Sequence, residues 1–540
     1  MREAIMSRQG IIIGVAVALF GTCGQVLAKQ TCERLASLKL PDTTITVAES
    51  VAAGAFVSPI PTGPESAPVS FKDLPAFCRV AATIRPTKDS DIKVEVWMPA
   101  EGWNGKFRGI GNGGFAGSIG YIGIATVLRQ GYAVASTDTG HASRQGTDAR
   151  WALGHPEKVT DFGYRGIHEM TRIAKAAIKA FYGNVPRRSY FGSCSNGGRQ
   201  ALMEAQRFPD DYDGILAGAP ANFWTHLFDN ALADAQATTR DEASYIPASK
   251  LPTLARAVNA ACDAQDGVAD GILNDPRQCH FDPEILLCKQ NDSEECLTTQ
   301  QVATLKKLYA GPDDAKGHKI FPGHLPGAED GLGGWGLWIT GPAPGKSLQF
   351  AYSTGYFSNM VYENPDWNYK AADLDETVQT NDAQLARILN ATDPNLMAFK
   401  ARGGKLILYH GWNDPAISAL NTINYYTSVV NRMGARETDA FVKLYMVPGM
   451  QHCGRGPGPD SFGQNGPTES ADPQHNIQSA LEQWVEKAIA PSSIIATKYV
   501  EDESQMRIKM TRPLCPYPQA AMWTGTGSTD DAANFVCKAP

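Results

Sequence analysis

A serine that opens an ester needs a base for its proton, a carboxylate to orient that base, and amides to receive the charge that grows on oxygen. The segment Tyr190-Phe191-Gly192-Ser193-Cys194-Ser195-Asn196-Gly197-Gly198-Arg199-Gln200 supplies such a serine. It lies between an apolar run and a helical stretch. A sharp turn there presents Ser195 at the carboxyl edge of a sheet, on the logic of G-x-S-x-G, with Ser193 in place of the first glycine and Gly197 as the second. Taken alone, a Gly-rich turn with serine is also an ordinary structural turn. Partners follow in the order expected of such a fold, acid and then histidine, each just after a strand. Asp414 stands in His410-Gly411-Trp412-Asn413-Asp414-Pro415, and His452 in Pro448-Gly449-Met450-Gln451-His452-Cys453. Singly, Asp414 also reads as a turn cap and His452 as a surface loop residue.

The cysteines tie these segments together. Cys194 precedes Ser195 and Cys453 follows His452. A disulfide holds two Cα atoms within about 7 Å and chain neighbours lie about 3.8 Å apart, so a Cys194–Cys453 bond would bring Ser195 and His452 within roughly 14 Å. Two amides complete the set. One is that of Asn196. The other belongs to Gly113 or Gly114, in the Gly-rich stretch Gly111 to Gly117 after the run Phe107 to Ile110. That stretch is otherwise a flexible turn.

The elements that must position these residues alternate along the chain. Residues 92–97 alternate as a strand, and Gly131 to Ser136, Ser189 to Gly192, Tyr212 to Ala217, Lys405 to Tyr409 and Val442 to Val447 are short apolar strands. Apolar residues from Ile167 to Phe181 recur at helical spacing, which predicts a helix over 165–182. A second helix follows the turn at Ser195, through about Arg207. Strands alternating with helices specify a mostly parallel α/β sheet. Residues 222–392 break the rhythm and read as an inserted lid, leaving 29–221 and 393–540 for the catalytic domain.

The chain has 540 residues, 43% hydrophobic and 19% charged, with a formal charge of −7. This fits a globular protein, and the acidic balance without a basic cluster argues against nucleic acid as a partner. Arg2 and Arg8, the apolar run Ile11 to Phe20 and the ending Val26-Leu27-Ala28 read as a signal peptide over 1–28, cut after Ala28. The run is too short to span a bilayer, which takes roughly 20 residues, and no later run qualifies. The expectation is therefore a secreted or periplasmic protein. Cleavage removes Cys23, so 11 − 1 = 10 cysteines remain, an even number that implies disulfides in an exported protein. Sequence does not fix their pairing. Short spacing favours Cys32–Cys78, Cys262–Cys279, Cys288–Cys296 and Cys515–Cys537, which leaves Cys194 for Cys453.

The elbow Cys194 to Gln200, the Gly411-to-Pro415 loop, the Pro448-to-Cys453 loop and the stretch Arg512-Pro513-Leu514-Cys515-Pro516-Tyr517-Pro518 together resemble the tannase and feruloyl esterase family. The resemblance covers nearly the whole chain after residue 28. It implies an α/β-hydrolase fold with a large inserted lid domain, with Ser195 as nucleophile, His452 as base and Asp414 as its orienter. The implied substrates are small aromatic esters, hydroxycinnamates first, including those carried on plant-wall polysaccharide. Gallate esters and terephthalate or phthalate monoesters are the alternatives within the family. A silent aromatic-binding protein on the same scaffold is the rival outside it, disfavoured because all three residues are present. The stretch Cys262 to Ile272 holds three carboxylates around two glycines and reads either as a polar turn or as a hard-cation loop. The resemblance implies a structural Ca2+ held by Asp263, Asp266, Asp270 and the carbonyls of Val268 and Ile272. Trp335, Trp338, Phe350, Tyr352, Tyr356 and Phe357 offer aromatic surface for an aromatic acid, and Ile417 is a further candidate contact. Lys346, His141 and His168 read as solvated or structural residues.

Overall fold

The computed structural model describes Met1 and residues 31–59, 69–464, 470–500 and 507–539. The expected signal peptide, 1–28 with its cut after Ala28, lies outside them apart from Met1. Nine strands form one twisted sheet: β1 (Thr43–Val51), β2 (Phe77–Ile84), β3 (Ile92–Pro99), β4 (Lys106–Ile110), β5 (Ala133–Thr137), β6 (Arg188–Cys194), β7 (Gly214–Gly218), β8 (Lys405–Gly411) and β9 (Val442–Val447). Their order is β1-β2-β3-β5-β4-β6-β7-β8-β9. From β5 through β9 all neighbours are parallel, while β1, β2, β3 and β5 pair antiparallel. Every residue of β5 and β7 is buried, as an unbroken apolar run requires when helices cover both faces.

The helix Gly166–Tyr182 buries Ile167, Met170, Ile173, Ala174, Ala177, Ile178 and Phe181 against one face and ends on Gly183 at φ 77°, a left-handed cap that glycine adopts without strain. On the other face the helix Ile477–Lys487 packs Ile477, Ala480, Leu481 and Trp484 onto Tyr409 and Tyr445. Two hairpins close the described chain, Ile494–Tyr499 with Ile508–Leu514 and Ala520–Trp523 with Phe535–Lys538. These hairpins, and β1 and β2, were not among the strands that the sequence pattern marked.

Between β7 and β8 the described residues form helices and turns, with no strand longer than a single bridge. The expected lid, 222–392, lies within this insert. Its helices Leu251–Cys262 and Thr299–Ala310 make a core of their own with Leu254, Val258, Leu305, Leu308 and Trp335. A second cluster joins insert to sheet, with Trp224, Phe228, Tyr356 and Phe357 against Phe115, Phe162 and Ile417. The ten cysteines pair as Cys32–Cys78, Cys194–Cys453, Cys262–Cys279, Cys288–Cys296 and Cys515–Cys537, matching the pairs that spacing favours. Among the described residues no helix is long and apolar enough to cross a membrane.

The turn after β6 depends on glycine. A Cβ on Gly198 would overlap the Gly218 carbonyl and lie 2.9 Å from the Pro220 Cα, so the helix Asn196–Arg207 reaches the sheet only with glycine there. Gly198→Ala should therefore cost about 1–3 kcal/mol. Thermal unfolding reads this as a lower Tm, and an unchanged Tm would mean that the helix can shift aside.

Candidate active site

Parallel strands deliver their carboxyl ends to one edge of the sheet, and β6, β8 and β9 each release a polar side chain there. Ser195 directly follows β6 at φ 66°, ψ −125°, a backbone state that costs a non-glycine residue roughly 1–3 kcal/mol. The turn is pinned on both sides: Ser195 N–H donates to Gly218 O at 2.9 Å, and Ser195 O accepts from Ala221 N–H at 3.1 Å. A Cβ on Gly197 would overlap the Ser193 side chain. Ser193 therefore fills the space that Gly197 leaves open, which is how the elbow accommodates serine at its first position.

Beyond β8 and β9 the chain keeps pairing. Trp412 N–H donates to Val447 O at 2.9 Å and Asn413 N–H to Met450 O at 3.0 Å. The Cys194–Cys453 bond, with Cα atoms 6.0 Å apart, draws the second loop back over the serine. Ser195, His452 and Asp414 meet as a result. His452 Nε2 lies 2.9 Å from Ser195 Oγ, and His452 Nδ1 lies 2.8 Å from Asp414 Oδ2. A carboxylate only accepts, so Nδ1 carries the hydrogen and Nε2 is free to receive the serine proton.

Asp414 is wholly buried and accepts four N–H bonds. Ala416 and Ile417 amides donate to Oδ1 at 2.8 and 3.0 Å, while His452 and His410 meet Oδ2 at 2.8 and 3.1 Å. Burial alone would raise its pKa. The charge of His452 and the N–H groups of His410 and His452 outweigh burial and hold the carboxyl well below the usual carboxylate range. Sequence reasoning missed His410; its four-residue spacing from Asp414 was the one signal that could have found it.

The Gly-rich loop after β4 is fastened to the same helix. Gln200 Oε1 accepts from Asn112 N–H at 3.0 Å, and Asn112 Nδ2 reaches Thr137 O at 2.8 Å. Gly114 lines the cavity beside Ser195 and Asn196; Gly113 is its chain neighbour and does not line it. The Asn196 amide opens the helix Asn196–Arg207, where the first N–H groups have no partner within the helix. His141 donates Nε2–H to Phe115 O at 2.7 Å and stacks on Trp151, and burial pushes its pKa down to about 4. His168 is remote from the site, bonded to Asp211 at 2.6 Å and stacked on Phe208. Both have the structural roles expected of them.

The cavity at Ser195 is lined by Trp224, Leu227, Phe228, Trp338, Tyr352 and Ile417, among others. Of the expected substrate contacts, Trp338, Tyr352 and Ile417 are here, with the Trp338 ring edge-on to His452 at 5.0 Å. Four of the expected contacts do not line this cavity. Trp335 is wholly buried in the insert's own core, beside Tyr309. Tyr356 and Phe357 are spent on the joint between insert and sheet, and Phe350 packs edge-on against Tyr369 at 5.2 Å. Their places are taken by Trp224, Leu227, Phe228 and Ala231. The sequence carried these four at i, i+3, i+4 and i+7, a stripe that periodicity alone cannot tell from core. Lys346 is exposed and is not among the residues lining this cavity.

The three carboxylates of the loop Asp263 to Ile272 turn onto their own backbone. Asp263 accepts from Gly271 N–H at 3.0 Å, Asp266 from Val268 N–H at 3.0 Å, and Asp270 from Ile272 N–H at 3.1 Å. Arg512 also donates to Asp270 at 2.7 Å.

Because the folded-state pKa of Asp414 is depressed, its ionised form adds stability that is present above the unfolded value of about 3.9 and fades as pH falls toward the folded value. Melting curves of the native protein and Asp414→Asn should accordingly differ most above about pH 5 and converge below it. A gap independent of pH would contradict the depressed pKa.

A sequence model described as tannase and feruloyl esterase matches residues 78–538. An uncharacterised esterase of Xanthomonas campestris pv. campestris is 41% identical over 535 residues, covering 94% of this chain and 91% of that protein. A probable feruloyl esterase B-2 of Aspergillus flavus is 36% identical, covering 82% and 84%. The crystal structure of feruloyl esterase B from Aspergillus oryzae superposes with a TM-score of 0.85 at 29% identity, over 94% of this chain and 99% of that one. With an α/β-hydrolase sheet and an inserted helical lid in place, the chain belongs to the tannase and feruloyl esterase family of carboxylic ester hydrolases.

Proposed function

We propose that this protein hydrolyses esters of aromatic acids through an acyl-enzyme on Ser195. The observation that carries the reading is the hydrogen-bonded series Ser195–His452–Asp414 at the mouth of an aromatic cavity. In this reading Ser195 Oγ attacks the ester carbonyl as His452 Nε2 takes its proton. The oxyanion is received by the amides of Asn196 and of Gly114 or Gly113. The alcohol leaves with the proton from His452. Water, deprotonated by the same imidazole, then releases the acid and restores Ser195.

The cavity supports an aromatic acyl group without a second charge. Apart from His452 its lining has no ionisable acid or base other than the Tyr352 phenol, so a terephthalate or phthalate carboxylate would be desolvated there without a cation. Gln349 favours a ring hydroxyl. Its Nε2 donates to Pro415 O and Ala416 O at 3.2 and 3.4 Å, which leaves Oε1 buried and unpartnered. A phenol would satisfy it. A wider groove of about 1050 Å3, more polar than the cavity, shares Trp338 and His452 with it and has Arg455, Asp460 and Lys498 in its lining. It supports a bulky hydroxylated alcohol, such as a wall polysaccharide. The cavity lining thus counts against phthalate-type monoesters, and the likeness to feruloyl esterase B leads us to favour hydroxycinnamate esters over gallate esters.

Export belongs to the same reading. Residues 1–28 have the pattern of a signal peptide, and five disulfides suit an oxidising compartment. A structural Ca2+ fits the donor chemistry of the loop Asp263 to Ile272: three carboxylates and backbone carbonyls are hard oxygen ligands. Asp263, Asp266, Asp270, Val268 and Ile272 would hold it. It would brace the loop beside the Cys262–Cys279 bridge and take no part in the chemistry.

Three measurements test the reading. Ser195→Ala should remove ester turnover while keeping the native Tm, and residual turnover near the native rate would refute the nucleophile. On a panel of methyl ferulate, methyl gallate and a terephthalate monoester, ferulate should give the highest kcat/KM; preference for the terephthalate would overturn the substrate class. A chelator should lower the Tm and added calcium restore it, and a Tm indifferent to both would exclude the metal.

A further inference from the structure

We propose that His410 is a positioning residue for ester cleavage, aligning Asp414 through its Nε2–H, and that the Thr422 hydroxyl holds that imidazole in place through its Nδ1. The inference rests on the assignment of Asp414 as the group that orients His452.

His410 is the penultimate residue of β8 and its side chain is wholly buried. Its Nε2 lies 3.1 Å from Asp414 Oδ2 and 3.0 Å from the carbonyl of Ile417. Neither a carboxylate nor a carbonyl can donate, so the hydrogen must be on Nε2. A neutral imidazole then has a bare Nδ1, and this nitrogen faces the Thr422 hydroxyl at 2.7 Å, which is its donor. The opposite tautomer would set a lone pair against two acceptors.

The consequence is geometric. The Nε2–H of His410 and the Nδ1–H of His452 converge on one oxygen of Asp414, while two backbone amides hold the other. The carboxylate cannot turn toward or away from His452 without breaking bonds at both oxygens. His410 is not itself among the residues lining the cavity; its contacts toward the site are Asp414 and the carbonyl of Ile417, which does line it, so its effect on the reaction passes through these two residues.

A packing role and a positioning role separate at Thr422. Valine has nearly the shape of threonine but no hydroxyl. Thr422→Val should lower kcat about tenfold, the size of one lost hydrogen bond to a buried group, with KM nearly unchanged and Tm close to native, and Thr422→Ser should restore kcat. His410→Phe, which keeps a ring without the N–H, should lower kcat about 100-fold. His410→Gln, which returns an N–H at the same reach, should turn over faster than His410→Phe. Native kcat in Thr422→Val, or in a folded His410→Phe, would overturn the proposal. Should His410→Phe not fold, the two Thr422 variants decide alone. Ser195→Ala is run alongside: if it keeps its turnover, the reading of the active site falls, whereas its loss together with native kcat in Thr422→Val defeats only the role of His410.

Discussion

A carboxylate without water is expensive, and the desolvation penalty of such an ion runs to several kcal/mol. Asp414 is one, and four N–H groups offset that penalty. This constraint organises the carboxyl edge of the sheet. The Ala416 and Ile417 amides can reach Oδ1 only if the chain turns tightly after Pro415. His410 can reach Oδ2 only from the end of β8. His452 can reach it only if its loop folds back from β9. The residues that offset the buried charge thereby define where the one mobile proton of the site can go.

Fold and insert share the labour of holding those loops. Asn413 Nδ2 bonds the carbonyl of Gly327, Gln451 Nε2 bonds Asp330 O at 2.8 Å, and Ser418 Oγ bonds Gly323 O at 2.8 Å. Each bond runs from a loop at the end of β8 or β9 to the insert. The Cys194–Cys453 bridge adds a covalent tie across 259 residues of sequence, a closure that restricts the unfolded chain strongly. Glycine does the complementary work. A Cβ on Gly411 would overlap the Met450 carbonyl, so the two loops could not lie together with any larger residue there.

Much of this was legible in the residues. Short apolar runs marked β4 through β9 to within a few positions, because parallel strands buried on both faces read as continuous apolar stretches, and alternation marked β3. Ser195, Asp414 and His452 stood out because each follows such a run, and Cys194 with Cys453 supplied the long-range link that periodicity cannot. The cavity was far less legible. Trp335, Tyr356 and Phe357 have the same aromatic character as Trp338 and Tyr352, and only the three-dimensional packing separates them. His410 was hidden for another reason: a histidine inside an apolar strand reads as core until its partner four residues on is seen to be buried with it. The terminal hairpins and β1 escaped because antiparallel strands with one exposed face carry weaker patterns, as the mixed burial of Thr43–Val51 illustrates; β2 is buried on both faces and escaped because Arg79 and Thr83 interrupt its apolar run.

The helix Trp224–Thr239 begins shortly after β7 and lends the cavity Trp224, Leu227, Phe228 and Ala231 from a single face. None of the four bonds to Ser195, His452 or Asp414. On the reading proposed above, this one rod supplies four of the side chains that would meet the acid, with Trp338, Gln349, Tyr352 and Ile417 among those added from elsewhere. On the same reading, an exchange of side chains along that rod would reshape the cavity while leaving the bonds among Ser195, His452 and Asp414 in place.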